Sequence, residues 1–432
     1  MYLNPSIHSD QHPDSYYFAT LRYQRSYPQL QQVIAVDTCI IGAGFSGINT
    51  AIELADRGDS VAVVEAHKVG WGASGRNGGQ VLRGIGHDIE QFHNQIGQQG
   101  VDTIGRMGLE AVDLVLDRIA RFNIDCDVRR GSCDLANKAR HMRDFEADYR
   151  WLQSVNYQYD VELIPAERVH EIVGADVYIG GLLDKGGVHL HPLNLITGEA
   201  VAAAEMGVQI FEDSPVTRIE QGSQVVVHTA KGQIKANRLV ICANGYVTGL
   251  HPELDSRVLP TGTYIIATEP LTDEQCKRIL PQNTAVCDQN VALDYYRLSA
   301  DNRLLFGGRC TYSGRDPKSI SALVRPRMVR LFPWLKDVKV DYEWGGMLGI
   351  GANRLPQIGR LQPNIYYAQA YAGHGVAASH IAAQLIAECM YQESQRIEVF
   401  ERVKHMKFPG GPALRSPLLA LGMMYYRFLD LF

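Results

Sequence analysis

Val36-Asp37-Thr38-Cys39-Ile40-Ile41-Gly42-Ala43-Gly44-Phe45-Ser46-Gly47-Ile48-Asn49-Thr50-Ala51-Ile52-Glu53-Leu54-Ala55 is the stretch that decides the fold. The apolar run ending at Ile41 has the length and composition of a buried strand. Gly42, Gly44 and Gly47 follow it, and an apolar-periodic segment begins at Ile48. The first glycine permits a tight turn, the second lets backbone approach a pyrophosphate, and the third lets helix and strand pack closely. The helix then presents its free N–H groups, with Ala43, Phe45 and Ser46 lining the turn. A second apolar run, Ser60-Val61-Ala62-Val63-Val64, leads into Glu65 and Ala66, eighteen residues past Gly47 for the acid. A carboxylate there can accept hydrogen bonds from ribose hydroxyls. A glycine turn in an ordinary βαβ unit is the alternative, weakened by strand, helix and acid all standing at the expected spacing.

Working outward, Gly70-Trp71-Gly72-Ala73-Ser74-Gly75-Arg76-Asn77-Gly78-Gly79-Gln80 comes next, and five of these eleven residues are glycine. Such a run is a loop against which something can lie close to the backbone. Ser74, Arg76, Asn77 and Gln80 add donors for phosphate and carbonyl groups. A nicotinamide enzyme has no particular need of this loop. An enzyme holding FAD extended does, because pyrophosphate and isoalloxazine both cross the region. The plainer reading is a flexible surface loop.

The glycine turn, the acidic strand end and the loop Gly72–Gln80 together resemble the D-amino-acid-oxidase-type FAD oxidoreductases. Further matching stretches are Gly187–Leu195, Leu293–Leu298, Ala300–Leu305, Gly373–Val376 and Phe408–Gly411, so the resemblance covers nearly the whole chain. Within that superfamily the Tyr295-Tyr296-Arg297 segment and the Phe-Pro-Gly-Gly at 408–411 are most similar to oxidases that act on gamma-glutamylated polyamines. The resemblance implies an α/β fold: a Rossmann-like FAD-binding domain interleaved with an α+β substrate domain built on a mixed or antiparallel sheet. On this reading residues 1–30 form an N-terminal arm. The FAD domain takes 31–90, 150–255 and 345–400, the substrate domain 91–149 and 256–344, and the tail 401–432. Val216 would offer backbone contact to adenine, and Ala243-Asn244-Gly245 would end a buried strand near the cofactor. Gly373-His374-Gly375-Val376 would open a helix whose N–H groups and dipole face the flavin pyrimidine edge. His374 either faces the ring or only packs.

Two departures from the family pattern carry information. The helix opening reads Val376-Ala377-Ala378-Ser379-His380, with no cation. Relatives that oxidise small α-amino acids have a lysine or arginine in this region to hold the substrate carboxylate. Its absence points to an amine whose reacting carbon bears no carboxylate. Some relatives attach flavin through a cysteine in the strand matched by Trp344–Leu348, which has none here. Non-covalent FAD is therefore expected. Trp344 and Met347 line the flavin face or pack in the core. Tyr264, Tyr295, Tyr296 and Arg297 are candidate substrate contacts, and Gln80 approaches flavin or substrate. On a strand Tyr295 and Arg297 share one face and Tyr296 takes the other. Arg297 either holds a distal carboxylate or makes a salt bridge. No general base is obvious. A neutral amine can be oxidised without one, with dioxygen as the acceptor. The alternatives are a dehydrogenase that passes electrons to a carrier, and a non-catalytic flavin-binding redox module.

The rest of the sequence narrows the class. The 432 residues suffice for two domains. At 46% hydrophobic and 21% charged residues the chain is of globular type. A net charge of −5 without a basic block gives no support for nucleic acid binding. The eight cysteines form no C-x-x-C pair, so neither zinc nor a disulfide scaffold is expected. No signal peptide and no apolar run of membrane-spanning length is visible, which makes the cytoplasm the expected location. The segment 91–150 is helical in pattern, with Arg118, Arg121 and Arg129-Arg130 read as solvated charges. The apolar tail Leu418–Phe432 reads as a docked helix or a weak membrane or partner contact. Oligomeric state is left open.

Overall fold

Val33–Ile41 is the central strand of the first sheet, pairing in parallel with Gln233–Ile241 on one side and Val61–Val64 on the other. Its last four residues and all of Val61–Val64 are buried, as expected of strands covered on both faces. The sheet order is Gln357–Gln362, Ile365–Gln369, Gln233–Ile241, Val33–Ile41, Val61–Val64, Gln209–Phe211, with Val216–Glu220 and Val225–Thr229 added as a hairpin. Helices Phe45–Asp56 and Val376–Met390 pack together over one face. Ile40, Val63, Ile48, Ile52, Ile381 and Leu385 form a common core there. Each such fully buried side chain contributes about 1.5–3 kcal/mol of apolar burial. The computed structural model describes residues 11–290, 293–311 and 317–409. Among these, no helix is long and apolar enough to cross a membrane.

The second sheet runs Val340–Ile350, Leu259–Thr268, Leu304–Thr311, Asp294–Leu298, Ala285–Asp288, Arg129–Ala136, Gly180–His189, Gln80–Val81, with Val161–Pro165 beside Gly180–His189. It is antiparallel except where Ala285–Asp288 lies parallel to Arg129–Ala136. Alternation sends Tyr264, Ile266, Tyr296 and Phe306 to a core beneath helix Ile320–Leu331. It sends Ile265, Tyr295, Leu305 and Trp344 to the core shared with the nucleotide-side helices. Architecture and chain interleaving are thus of the expected α/β type, with several boundaries corrected.

The segment 150–255 does not stay with the first sheet. Val161–Pro165 and Gly180–His189 belong to the second, where Leu183 pairs with both Cys133 and Glu162. Helix His93–Arg121, assigned by its position in the chain to the substrate domain, packs instead against Val376–Met390. Arg118 is not solvated: it is 4% exposed, with Nη2 2.6 Å from Glu53 on the nucleotide-side helix. Within the N-terminal arm, Tyr16 and Tyr17 are buried, so this part is a plug in the core, not a surface strap. The tail 418–432 and residues 410–411 lie outside the described residues.

Candidate active site

The glycine turn is built as its spacing requires. Gly42 has φ +103°, and a Cβ there would stand 2.7 Å from Cys242 O, so the turn and the neighbouring strand end leave no room for a side chain. A Cβ at Gly47 would overlap the Gly42 carbonyl, which is why helix and strand can lie so close. Glu65 closes the turn from the next strand, accepting from Ala43 N–H at 2.7 Å and His67 N–H at 3.0 Å. Loss of solvent pushes its carboxyl pKa up, and the backbone donors oppose that. Ala66 beside it is exposed, and Val216 lies half-buried at the start of its strand. Ala243-Asn244-Gly245 follows the strand parallel to Val33–Ile41, and Asn244 Oδ1 accepts from Ala370 N–H at 2.9 Å.

The glycine loop crosses from this turn to the second sheet and is stapled by its own polar residues. Ser74 Oγ accepts from Phe45 N–H at 2.9 Å and caps the nucleotide-side helix. Asn77 donates to the carbonyls of Ala73 and Ser74 and accepts from Gly79 N–H at 2.8 Å. Arg76 is 4% exposed; it stacks 4.3 Å over the Trp71 ring and donates to the carbonyls of Trp71 and Gly345. Gln80 donates to Val286 O at 3.1 Å. Gly72 faces the Tyr246 ring, while Gly78 and Gly79 lie against Tyr295 and Arg297.

The substrate candidates divide as alternation predicts, but the assignment of roles changes. Tyr264 and Tyr296 are each 1% exposed and sit in the helix-covered core, on the face turned from the glycine loop. Tyr296 stacks on Phe306 with centroids 5.3 Å apart and donates to Tyr178 OH at 3.3 Å. Both are packing residues, because the pleat points them into that layer. Tyr295 and Arg297 face the loop. Among the described residues Arg297 makes no salt bridge: its Nε donates to Gly78 O at 2.7 Å, Nη1 to Leu298 O and Nη2 to Tyr17 OH. Trp344 is buried, donates to Arg76 O at 3.0 Å and meets Tyr17 edge-on at 5.1 Å. Met347 is 3% exposed.

The last segment returns at Tyr371. Ala370 and Ala372, on either side of it, have φ of 64° and 52°, strained values for alanine that the surrounding structure holds in place. Tyr371 OH lies 2.7 Å from Ser46 Oγ and ties this bend to the glycine turn. Gly373 is exposed with φ +89°, and Gly375 starts helix Val376–Met390. His374 Nε2 donates to Arg83 O at 2.9 Å, which makes Nδ1 the lone-pair nitrogen of the neutral ring. Burial lowers its pKa, so it stays neutral near pH 7. Arg83 is a neighbour that the sequence did not single out. Its guanidinium pairs with Asp148 at 3.1 Å and lies 3.6 Å from Asp184. Tyr17 was likewise missed, since nothing local marks an N-terminal tyrosine as core.

The two turns together have the shape and donors of a cradle that a phosphate-bearing, partly anionic cofactor would fit. A Cβ at Gly44 would meet only the Ser74 side chain, and one at Gly373 only Leu348 Cδ1 at 3.6 Å. The first intrahelical bonds are Ile48 N–H to Gly44 O and Ser379 N–H to Gly375 O. The N–H groups of residues 46–47 and 376–378 therefore point out of two helix N-termini. Those donors and small residues fit a pyrophosphate at the first turn and the anionic edge of a flavin at the second.

Comparison with known proteins identifies the family. Residues 37–389 match the family model described as FAD dependent oxidoreductase (DAO). The chain is 40% identical over 422 residues to gamma-glutamylputrescine oxidoreductase of Escherichia coli, covering 97% of this chain and 99% of that protein. It is 38% identical over 426 residues to the probable oxidoreductase OrdL of Haemophilus influenzae, covering 97% and 98%. Glycine oxidase from Geobacillus kaustophilus superposes with a TM-score of 0.71 at 20% identity, over 86% of this chain and 100% of that one, which shows a common fold. With a family match over most of its length and FAD as the cofactor, the chain belongs to the DAO family of FAD-dependent oxidoreductases.

Proposed function

We propose that this enzyme oxidises the primary amine of gamma-glutamylputrescine or a related gamma-glutamylated polyamine. The carbon of the neutral amine gives up two electrons and a proton as a hydride, water adds to the resulting iminium, and aldehyde and ammonium leave. Non-covalently bound FAD would supply the two-electron acceptor, and dioxygen would take those two electrons, with two protons, to become hydrogen peroxide. One observation carries the substrate reading. The helix opening that follows His374 presents Val376, Ala377 and Ala378, with Ala377 buried at 2% exposure, so no cation extends from it toward a carboxylate on the reacting carbon. Arg83, the arginine whose carbonyl binds His374, already has Asp148 and Asp184 beside its guanidinium. The 40% identity to the E. coli enzyme of that name supports the same substrate class.

The chain's own groups would act as follows. The N–H groups of residues 376–378 hold negative charge at the flavin edge through the helix dipole. Neutral His374, anchored on Arg83 O, shapes the wall beside them. Tyr295, half-buried against Gly78 on the face turned to the loop, borders the amine pocket.

Anaerobic mixing with gamma-glutamylputrescine, putrescine, spermidine, sarcosine, glycine and D-alanine tests the proposal. Bleaching of the flavin band by gamma-glutamylputrescine alone, with peroxide after air is admitted, is the expected result. Bleaching by sarcosine or D-alanine would overturn the substrate reading. Rapid dye reduction with negligible peroxide would replace the oxidase with a dehydrogenase. A flavin that stays oxidised with every amine would reduce the chain to a binding module.

A further inference from the structure

Three helices meet at a polar junction with no access to solvent. Glu199 on Pro192–Glu205, His380 on Val376–Met390 and Asn49 on Phe45–Asp56 are each 0% exposed. Glu199 Oε1 lies 2.7 Å from His380 Nε2, and Oε2 accepts from Asn49 Nδ2 at 3.0 Å. Each partner then reaches the first residue of its own helix. Asn49 Nδ2 donates to Phe45 O at 3.0 Å, and His380 Nδ1 lies 2.7 Å from Val376 O. A carbonyl can only accept, so His380 Nδ1 carries a proton. The His380 ring also packs on Phe45, with centroids 5.3 Å apart.

Phe45 and Val376 open the two helices whose N-termini form the cradle. Glu199 is therefore linked, through one side chain each, to the first turn of both. The Ser46–Tyr371 hydrogen bond joins the same two regions a second time. Stability alone does not call for such a junction. A buried polar pair loses its hydration, and well-packed apolar side chains of similar volume are often as stable or more so. What a directional network adds over an apolar contact is a fixed distance and orientation.

We propose that Glu199 is a positioning residue which, through His380 and Asn49, sets the separation of the two helix N-termini so that one FAD spans both. The inference rests on the assignment of Gly44–Gly47 and Gly373–Val376 to the cofactor. Glu199→Gln keeps the network: with Nδ1–H on Val376 O, His380 accepts at Nε2 from the new amide, whose oxygen accepts from Asn49. The double variant Glu199→Leu/His380→Phe removes it while leaving an apolar pair.

FAD affinity by fluorescence titration, the reduction potential of the bound flavin and the melting temperature of the apoprotein are measured for each variant. The double variant is expected to melt close to wild type as apoprotein, to bind FAD about tenfold or more weakly, as for one or two lost buried hydrogen bonds, and to shift the potential. Glu199→Gln is expected to restore both flavin readouts. A double variant with wild-type affinity and potential overturns the proposal. So does an apoprotein melting temperature that falls without any change in either flavin readout. If the double variant does not fold, Asn49→Leu, which cuts only the arm to Phe45, decides by the same flavin readouts. Gly44→Val separates the two claims. Gly44 has an ordinary φ of −90°, and a Cβ there would meet only the Ser74 side chain, with Oγ at 2.8 Å, so valine displaces the Ser74 cap on Phe45 N–H and blocks the pyrophosphate, with the apoprotein melting temperature showing that the fold survives. Unchanged FAD binding in Gly44→Val would mean that the cofactor assignment itself fails.

Discussion

Arg297 Nε donates to the carbonyl oxygen of Gly78 at 2.7 Å, and the same guanidinium reaches Tyr17 OH at 3.2 Å. A strand of the second sheet, the glycine loop and the N-terminal plug are thereby held by one side chain. Arg297→Lys keeps the charge, but an ammonium cannot reproduce the planar fork. The expected loss is about 2 kcal/mol in chemical denaturation together with reduced FAD occupancy. KM for the amine should change less than about threefold; a rise of about a hundredfold in KM alone, the size of a lost charged hydrogen-bond pair, would return Arg297 to the substrate.

Gly47→Ala puts a methyl group where the Gly42 carbonyl stands. Both atoms belong to backbone that cannot move without opening the turn. The variant should purify without its yellow colour and unfold about 3 kcal/mol more easily, an overpacking cost. The ratio of visible to ultraviolet absorbance of the purified protein checks this.

Tyr296→Phe removes one hydroxyl from a core contact with Tyr178 and leaves the stack on Phe306. Activity within about twofold of wild type and a stability loss of about 1 kcal/mol are expected. A fall in kcat of two orders of magnitude would show that the hydroxyl reaches the reacting amine after all.

His191 gives a pH prediction. Its Nδ1 accepts from Asn194 N–H at 3.0 Å and caps helix Pro192–Glu205, while Nε2 faces Thr20 Oγ1. Burial, and then the nearby Arg297 guanidinium, hold its pKa at about 3, below the ordinary 6.5. The unfolded chain binds the proton more readily, so the contribution is complete above pH 6.5 and is lost as pH falls toward 3. Protonating Nδ1 would also destroy the cap. His191→Asn keeps a capping oxygen that does not titrate. Denaturation curves between pH 7 and pH 4.5 should show a shallower fall for the variant than for wild type, by on the order of 1 kcal/mol at pH 5.5. Parallel curves would refute the assignment.

The nucleotide half of the fold was legible because its signals are local. An apolar run, three glycines and an acid determine a strand, a turn, a helix and a strand end within about thirty residues. The faces of Tyr295, Tyr296 and Arg297 were legible too, since alternation is a property of any strand. Which face looks toward the loop was not, because it depends on helix Ile320–Leu331 covering the other side. The membership of Gly180–His189 was hidden for a similar reason: its partners Arg129–Ala136 and Val161–Pro165 are chosen by long-range pairing. Buried polar groups were the least legible: Arg118 was read as solvated, and nothing local marked Glu199 or His380. Arg118, Glu199 and His380 have residue types that normally sit in water, and only the partners Glu53, Asn49 and Val376 O allow them inside.

The pairing of Val33 with Gln233, and of Leu239 with Ile365, has a consequence for how the enzyme is made. On the ribosome the glycine turn emerges early, yet the strand that walls it comes much later, and the helix starting at Val376 later still. Local elements can form as they emerge, but these long-range pairings must wait for their partners. A nascent chain halted before Val376 would therefore carry a recognisable nucleotide motif and no assembled cradle. Loading with FAD is then expected to wait until Val376–Met390 has been made, and a translation product that ends before Val376 should be colourless.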